Sequence, residues 1–274
     1  MEELKNLVYS RELRWNEAIA IGLRLFFYNI RTVILGMIVI ALPISLLLNL
    51  IQVRMVNANE ILQQLSAAAT VTENQLYAVM QEVMTTSLLL MAVTVFLEPI
   101  FVIGVAKATK WRLESRQANY GAVFRQAMLL EPIVVKVGIV YMALFFLGSF
   151  LVIPAIYLDV VWCFYLYCIA LGKRRGIDAL GHSRILVRGR WWRTFGFLIA
   201  LGIFSFGWNG ILQMLFTLFP SNFVTGTIYT CATYLTQGLI VSSMTVLYLN
   251  RESGLFGMDA LQEEDAEAEN PVAE

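Results

Sequence analysis

Apolar residues in this chain occur in long, nearly charge-free runs. A helix needs about 20 such residues to cross a hydrocarbon core of roughly 30 Å. Four runs have this length, and a fifth, 133–171, is about twice as long. Gly148, Pro154 and Asp159 lie near its middle, where a tight reversal would divide it into two helices and leave Asp159 in a wet turn. The pattern therefore predicts an all-α, polytopic bundle of six transmembrane helices, at about 32–51, 86–106, 133–152, 154–171, 194–216 and 224–250.

Three segments are too polar to cross a membrane. Residues 1–31 have a helical apolar period broken by arginines, which predicts an interfacial amphipathic helix leading into the first span. Residues 52–84 are long enough for two short extracytoplasmic helices, the second starting at the capping-box pattern Thr72-Glu73-Asn74-Gln75. Their apolar stripes could cover the ends of the bundle, lie on the outer leaflet or bind a protein partner. These stripes are Ile61, Leu62 and Leu65, and then Leu76, Val79, Met80 and Val83.

The third polar segment, 251–274, contains the acidic run 263–269. Such a run predicts a disordered tail, with a docking peptide for a protein partner as the alternative.

Composition and charge support a membrane protein and orient it. A hydrophobic content of 58%, a mean hydropathy of +0.68 and a charged content of 15% leave too little polar surface to cover a soluble fold of 274 residues. Cytoplasmic loops near a membrane are enriched in Lys and Arg. With both termini in the cytoplasm, every one of the 20 Lys and Arg residues except Arg54 falls on the cytoplasmic side, counting Lys136 at the inner end of the third span. The location predicted is the cell membrane of a bacterium.

Residues that could carry chemistry are few. The single histidine, His182, follows Asp178 by one helical turn, which supplies too few ligands for a metal and is typical of a surface histidine in a basic helix. The three cysteines lie inside predicted spans. We identify no catalytic, cofactor-binding or metal-binding residues, and we predict that the chain is not an enzyme. The positive-inside pattern accounts for the basic loops, so nucleic acid is not an expected partner.

The loop between the fourth and fifth spans concentrates cations and indoles where the chain returns to the membrane. A basic, aromatic helix here could anchor the bundle, and Gly189 would let the chain turn back. The alternative is contact with anionic lipid head groups, which clusters of this kind hold. The residues concerned are Arg184, Arg188, Arg190, Trp191, Trp192 and Arg193.

Charges within the predicted spans are also rare, and each is costly there unless paired or hydrated. Glu98 lies roughly 12 Å from the inner end of the second span at the helical rise. Lys136 lies one turn inside the third span, so that the two form a candidate intramembrane pair. The alternative is that Glu98, next to Pro99, forms a polar lining where the helix is broken.

The same loop carries a resemblance to a known family. Ala179-Leu180, Ser183, Leu186-Val187, Gly189-Arg190, Trp192-Arg193 and Phe195 resemble the signature of a bacterial family of six-helix membrane proteins. That family includes the membrane domain of some glycerophosphoryl diester phosphodiesterases and the YciC-like proteins. The pattern LFFYNIRTVILG and the prolines at 43 and 99 extend the resemblance along most of the chain. It implies a fold and a location, because the catalytic phosphodiesterase domain has no counterpart here.

These observations favour a non-enzymatic scaffold or lipid-contacting accessory of an envelope or export system, with membrane lipids as its partners. The alternative is a small transporter or permease subunit, which needs a polar path through the bundle. Candidates for such a path are Asn49, Asn209, Gln213 and Gln237. A membrane-embedded enzyme ranks third, since no acid, base and nucleophile converge.

Overall fold

The computed structural model describes residues 2–67, 73–116, 120–149, 152–172, 174, 176–220 and 222–269. These residues form helices joined by short connections, as the apolar pattern predicted. The α-helices, in chain order, are α1 (Glu2–Ser10), α2 (Trp15–Tyr28), α3 (Ile30–Gly36), α4 (Leu42–Ala67), α5 (Glu73–Phe96), α6 (Glu98–Leu113), α7 (Tyr120–Ser149), α8 (Val152–Trp162), α9 (Tyr165–Ala170), α10 (Asp178–Val187), α11 (Trp191–Phe216) and α12 (Phe223–Glu269). A π-helical segment, Met37–Ala41, joins α3 to α4.

Six stretches of described helix are long and apolar enough to cross a membrane, which confirms the predicted fold class and number of spans. They are Ile30–Met55, Glu73–Leu113, Gly121–Leu144, Ile153–Ala170, Trp191–Phe216 and Phe223–Gly254.

Prolines shape the first two of these stretches. Pro43 cannot donate a hydrogen bond back along the helix, and the π-helical segment ends two residues before it. The second stretch is divided at Leu97, between α5 and α6, and Pro99 lies in the first turn of α6. A proline is tolerated there because the first N–H groups of a helix have no intrahelical partner.

The described residues of segment 52–84 do not form two separate short helices, although a helix begins at Glu73, within the predicted capping-box pattern. Residues 52–67 are the end of α4 and residues 73–84 are the beginning of α5, and α4 packs against α5. Polar residues alone do not end a helix, so α4 continues beyond its apolar run. Thr72 and the side chains of Leu62 and Leu65 lie outside the described residues. Of the remaining stripe residues, Val79 is buried, Val83 is half-buried, and Ile61, Leu76 and Met80 are exposed.

The third and fourth spans also have different bounds from those predicted. Helix α7 begins at Tyr120, well before the predicted start at 133, so residues interpreted as loop belong to a helix. Helix α7 ends at Ser149, and α8 begins at Val152. Asp159 was predicted in the turn but lies within α8, where it accepts a hydrogen bond from the hydroxyl of Tyr141 at 3.0 Å.

Helix α12 forms the core of the bundle, packing against α2, α4, α6 and α11. Residues 241–253 are all buried, although several are polar. The hydroxyls of Ser242, Ser243 and Thr245 donate to the carbonyl four residues earlier in the same helix, at 2.7–3.1 Å. These bonds satisfy the hydroxyls internally and leave small surfaces against which other helices can pack.

Helix α2, predicted to lie at the interface, packs one face on α12 and buries Ala18, Ile21, Gly22, Leu25 and Phe26. A Cβ atom on Gly22 would lie 2.5 Å from the Cα atom of Ser243, so only glycine permits this approach.

The start of α2 is capped by an acidic side chain. Glu17 accepts a hydrogen bond from the Arg14 N–H at 2.9 Å and one from the guanidinium of Arg11 at 2.7 Å. The Arg11 bond, with the Arg14 bond, lowers the pKa of Glu17.

The predicted disordered tail is also corrected. Arg251, Glu252 and Ser253 are buried parts of the bundle, and α12 remains helical through Glu269. Residues 270–274 and the side chains after Gly254 lie outside what the structure describes.

Candidate functional site

Polar residues from distant parts of the chain converge near the second half of α12. They come from the α1–α2 connection, from α10 with the turn into α11, and from residues 250–252 of α12. We call this region the basic end of the bundle. Helix α11 leads away from it over 26 residues, or roughly 39 Å at the helical rise.

Asn250 fastens the α1–α2 connection to α12. Its amide nitrogen donates to the carbonyls of Val8, at 2.6 Å, and Arg11, at 2.7 Å. Its side-chain oxygen accepts a hydrogen bond from the N–H of Leu13 at 3.0 Å. One buried carboxamide thus provides hydrogen-bond partners for three backbone groups at the point where the chain passes from α1 to α2.

Arg251 makes the equivalent connection to the turn between α10 and α11. Its guanidinium donates to the carbonyl of Leu186 at 3.3 Å and to the hydroxyl of Thr194 at 3.4 Å. The side chain is buried, so this cation holds the turn from inside the bundle and does not project toward a membrane surface.

Glu252 forms the third buried contact, with the single histidine. Nε2 of His182 lies 2.8 Å from Oε2 and 3.0 Å from Oε1 of Glu252, and both residues are buried. The interpretation of His182 as a surface histidine was therefore wrong. Its position on α10 places the ring against α12, whereas the neighbouring residue Arg184 lies on the exposed side of the same helix.

The four arginines considered for lipid contact fall into two pairs. Arg190 and Arg193 share one carboxylate, that of Glu12, with nitrogen to Oε1 distances of 3.0 Å each. Arg184 and Arg188 are exposed, and among the described residues neither has an ion-pair partner. Two of the four predicted cations thus already share an ion-pair partner within the chain.

Arg184 and Arg188 line a cavity of about 460 Å³ between α8, α10 and the start of α11. We call it the basic groove. Its lining residues are Tyr157, Val161, Arg184, Ile185, Val187, Arg188, Gly189 and Trp191. Gly189 has a φ of +77°, the left-handed conformation that glycine adopts without strain, so the turn predicted at this residue is confirmed.

Trp191 and Trp192, which the sequence places together in this loop, have different surroundings. Trp191 stacks on Tyr157, with ring centroids 6.2 Å apart, and on Phe195, at 5.0 Å. It is half-buried and forms a wall of the basic groove. Trp192 is 77% exposed, so it is the indole available to lie in a membrane interface.

The structure does not bring together the other predicted pair, Glu98 and Lys136. Among the ion pairs of the described residues, none joins these two side chains. Lys136 is exposed on α7, whereas Glu98 is half-buried beside the phenol of Tyr234 on α12. The polar neighbour of Glu98 is therefore a tyrosine.

A second cavity, of about 750 Å³, lies where α11 ends and α12 begins, at the opposite end of α11 from the basic groove. Two residues considered for a polar path, Asn49 and Gln213, line it. Asn209 instead donates to Ser205 on its own helix at 3.3 Å. Gln237 is half-buried on α12 and is not part of this lining. Within the described parts of the chain, no three His, Cys, Asp or Glu residues lie close enough to hold a metal ion.

Comparisons of the chain with protein-family models, with curated proteins and with solved structures find no match. The class of protein thus follows from the chain itself. Its described residues form an all-α bundle with six helices suited to crossing a membrane, which is the architecture of a multi-pass membrane protein.

Proposed function

We propose that the protein is a non-enzymatic scaffold or lipid-contacting accessory of the bacterial cell envelope or of an export system. In this proposal, both termini lie in the cytoplasm, the protein lies in the cell membrane, and its basic end binds anionic lipid head groups. The observation that carries the proposal is the basic groove, where Arg184 and Arg188 line one cavity without an ion-pair partner among the described residues.

The chemistry of the groove suits a phosphate-bearing head group. A guanidinium offers several N–H donors in a planar fork and binds phosphate through two parallel hydrogen bonds. Tyr157 and Trp191 supply an apolar wall for the glycerol and the first methylene groups of a lipid. A basic residue near an anionic membrane surface contributes about 1 kcal/mol.

The charge distribution supports the proposed orientation. Under it, all Lys and Arg residues except Arg54 lie on the cytoplasmic side, where anionic lipids attract them. The resemblance of 179–195 to the six-helix family supports the same architecture and location. The segment 52–84 and the acidic segment 263–269 are the places where a protein partner would bind.

Two double variants test the lipid proposal. Arg184→Gln/Arg188→Gln removes both cations of the groove, while Arg190→Gln/Arg193→Gln removes the same formal charge from the pair bound to Glu12. Native mass spectrometry of each protein, released from nanodiscs that contain phosphatidylglycerol, counts the retained lipids. We expect the first variant to lose most of the bound phosphatidylglycerol and the second to retain it.

Equal retention by the wild type and both variants would overturn the proposal and leave the α10–α11 loop as a topology anchor. Equal loss from both variants would mean that net charge, and not the groove, determines lipid binding. High salt weakens exposed charge contacts, so lipid retained in 1 M salt by the wild type alone would support a contact within the groove.

One observation favours the alternative function, a small transporter or permease subunit. Asn49 and Gln213 line an open cavity at the other end of α11, as a polar path would require. A transporter would also need that cavity to connect with the opposite membrane face. Flux of a labelled polar solute into proteoliposomes that depends on Asn49 and Gln213 would support this alternative.

A further inference from the structure

We infer that the second cavity, between α4, the end of α11 and the start of α12, binds an uncharged, hydroxyl-rich group of the glycosyl class. This inference is independent of the lipid proposal, because the cavity shares no residue with the basic groove. It rests on the charge, hydrogen-bonding capacity and aromatic rings of the lining.

The lining excludes a charged ligand by its composition. None of the described residues that line the cavity is Asp, Glu, Lys, Arg or His, yet amides and hydroxyls are abundant among them. A phosphate or an ammonium group would lose its hydration without gaining a counter-charge there. An uncharged ligand with several hydroxyls exchanges its water for amide and hydroxyl partners at much lower cost.

Asn49 is fixed in position as an acceptor. Its amide nitrogen donates to the carbonyl of Phe223 at 2.7 Å and to the hydroxyl of Thr227 at 3.1 Å, which uses both N–H groups. Its side-chain oxygen lies beside Gly226, where an added Cβ atom would approach it to 2.8 Å. Gly226 therefore provides the space that this oxygen occupies.

Two further carboxamides face the cavity with spare capacity. Gln52 on α4 and Gln213 on α11 both line it, and neither side chain has a hydrogen-bond partner among the described residues. Each offers two donors and one acceptor, the combination that vicinal hydroxyls of a sugar ring require. The two amides belong to different helices, so a ligand bound between them would contact both walls.

Aromatic rings supply the apolar part of the lining. Phe216 packs edge to face against Tyr229, with ring centroids 5.4 Å apart, and lies 6.1 Å from Phe219. Ring faces held in this way can cover the C–H face of a sugar while the amides bind its hydroxyls. A volume of about 750 Å³ is within the usual range of small-ligand sites.

The test uses the full-length protein in nanodiscs and two probes, diglucosyl diacylglycerol and free maltose. Native mass spectrometry measures the lipid, with plain diacylglycerol as the sugar-free control, and saturation-transfer NMR measures maltose. We expect the diglucosyl lipid to bind and plain diacylglycerol not to bind. Binding of maltose as well would identify a soluble glycan as the ligand, whereas binding of the lipid alone would identify a glycolipid.

Variants then assign the binding to the cavity. Gln52→Leu/Gln213→Leu removes both spare amides, and because each hydrogen bond contributes about 1 kcal/mol, we expect roughly tenfold weaker binding or more. Gly226→Ala displaces the side chain of Asn49 and should also weaken binding. In the matched control, Gly210→Ala, the added Cβ atom lies in open space and binding should not change. Arg184→Gln/Arg188→Gln should leave sugar binding unchanged, which separates this inference from the lipid proposal.

Two results would overturn the inference. Equal binding of diglucosyl diacylglycerol and plain diacylglycerol would show that the cavity binds acyl chains and not the sugar. Unchanged binding of the sugar by Gln52→Leu/Gln213→Leu, with the native melting temperature retained, would show that the sugar binds elsewhere on the protein.

Discussion

The carboxylate of Glu252 lies 2.8 Å from Nε2 of His182, although 70 residues separate them in the chain. The contact joins the end of the buried part of α12 to α10, the helix that carries the basic groove. Both side chains are buried, so neither can exchange its partner for water without moving a helix. The geometry of the groove therefore depends on this internal contact.

Removing one member of the pair should destabilise the protein. Glu252→Leu deprives the imidazole nitrogen of its buried partner, and we expect a loss of about 1–3 kcal/mol in unfolding free energy, seen as a lower melting temperature in a fixed detergent. The double variant His182→Phe/Glu252→Leu should recover part of this loss, because it leaves neither polar group buried alone. Glu60→Leu, at an exposed position of α4, is the control. An unchanged melting temperature for Glu252→Leu would contradict a structural role for the pair.

The helices and the number of spans could be predicted from the sequence, because hydrocarbon requires nearly uninterrupted apolar runs. The bounds of the helices could not be predicted, because an apolar run marks only the part of a helix that lies in hydrocarbon. The helix itself continues beyond that part until a specific residue ends it. Tyr120, the start of α7, lies 13 residues before the predicted start of the third span for this reason. The same cause placed the end of α4 and the beginning of α5 in a separate outer segment.

The candidate site was predictable only in part. The sequence identified the loop with Arg184 and Arg188, but it could not separate these two from Arg190 and Arg193, because Glu12 lies more than 170 residues away. The burial of His182 could not be predicted, because several residues around it in the sequence are polar or basic and are typical of an exposed helix. One signal was present, since three strongly polar residues, 250–252, lie at the end of the last predicted span and directly after it, and they must find partners if the helix end is buried.

Asn250 should control the stability of the N-terminal connection. Asn250→Asp keeps the shape of the side chain but places a carboxylate against the carbonyls of Val8 and Arg11, where the amide now donates. We expect faster backbone hydrogen exchange at residues 8–13, with little change in α11, measured by mass spectrometry. Asn209→Asp is the matched control, because among the described residues the side chain of Asn209 bonds within its own helix. Unchanged exchange at 8–13 would mean that packing alone holds the connection.

The close approach of α2 to α12 should be sensitive to a single methyl group. Gly22→Ala places a Cβ atom 2.5 Å from the Cα atom of Ser243, and a backbone atom cannot move aside as a side chain can. We expect a destabilisation of about 1–3 kcal/mol, the usual cost of overpacking, measured as a lower melting temperature. Gly196→Ala on α11 meets no atom within 4 Å and should be neutral. Equal melting temperatures for the two variants would place α2 farther from α12.

The proposed orientation makes a prediction about chemical labelling in intact cells. Single cysteines replace Gln75, at the start of α5, and Arg116, just after α6, one at a time. A maleimide that cannot cross the membrane should label the cysteine at position 75 from outside, and the cysteine at position 116 only after the cells are opened. The native cysteines are half-buried or buried and should react slowly, and the unmodified chain measures their contribution.

Arg188, on the turn between α10 and α11, extends the labelling test to the basic groove. A cysteine at position 188 should behave like the one at position 116, because the proposal places both on the cytoplasmic side. Labelling at 188 should also rise in Arg184→Gln if lipid shields the groove, since that lipid would bind more weakly. Labelling of position 188 from outside in intact cells would show that the orientation is the reverse of the proposed one. The groove would then face the outer leaflet, where the positive-inside argument for anionic lipid does not apply.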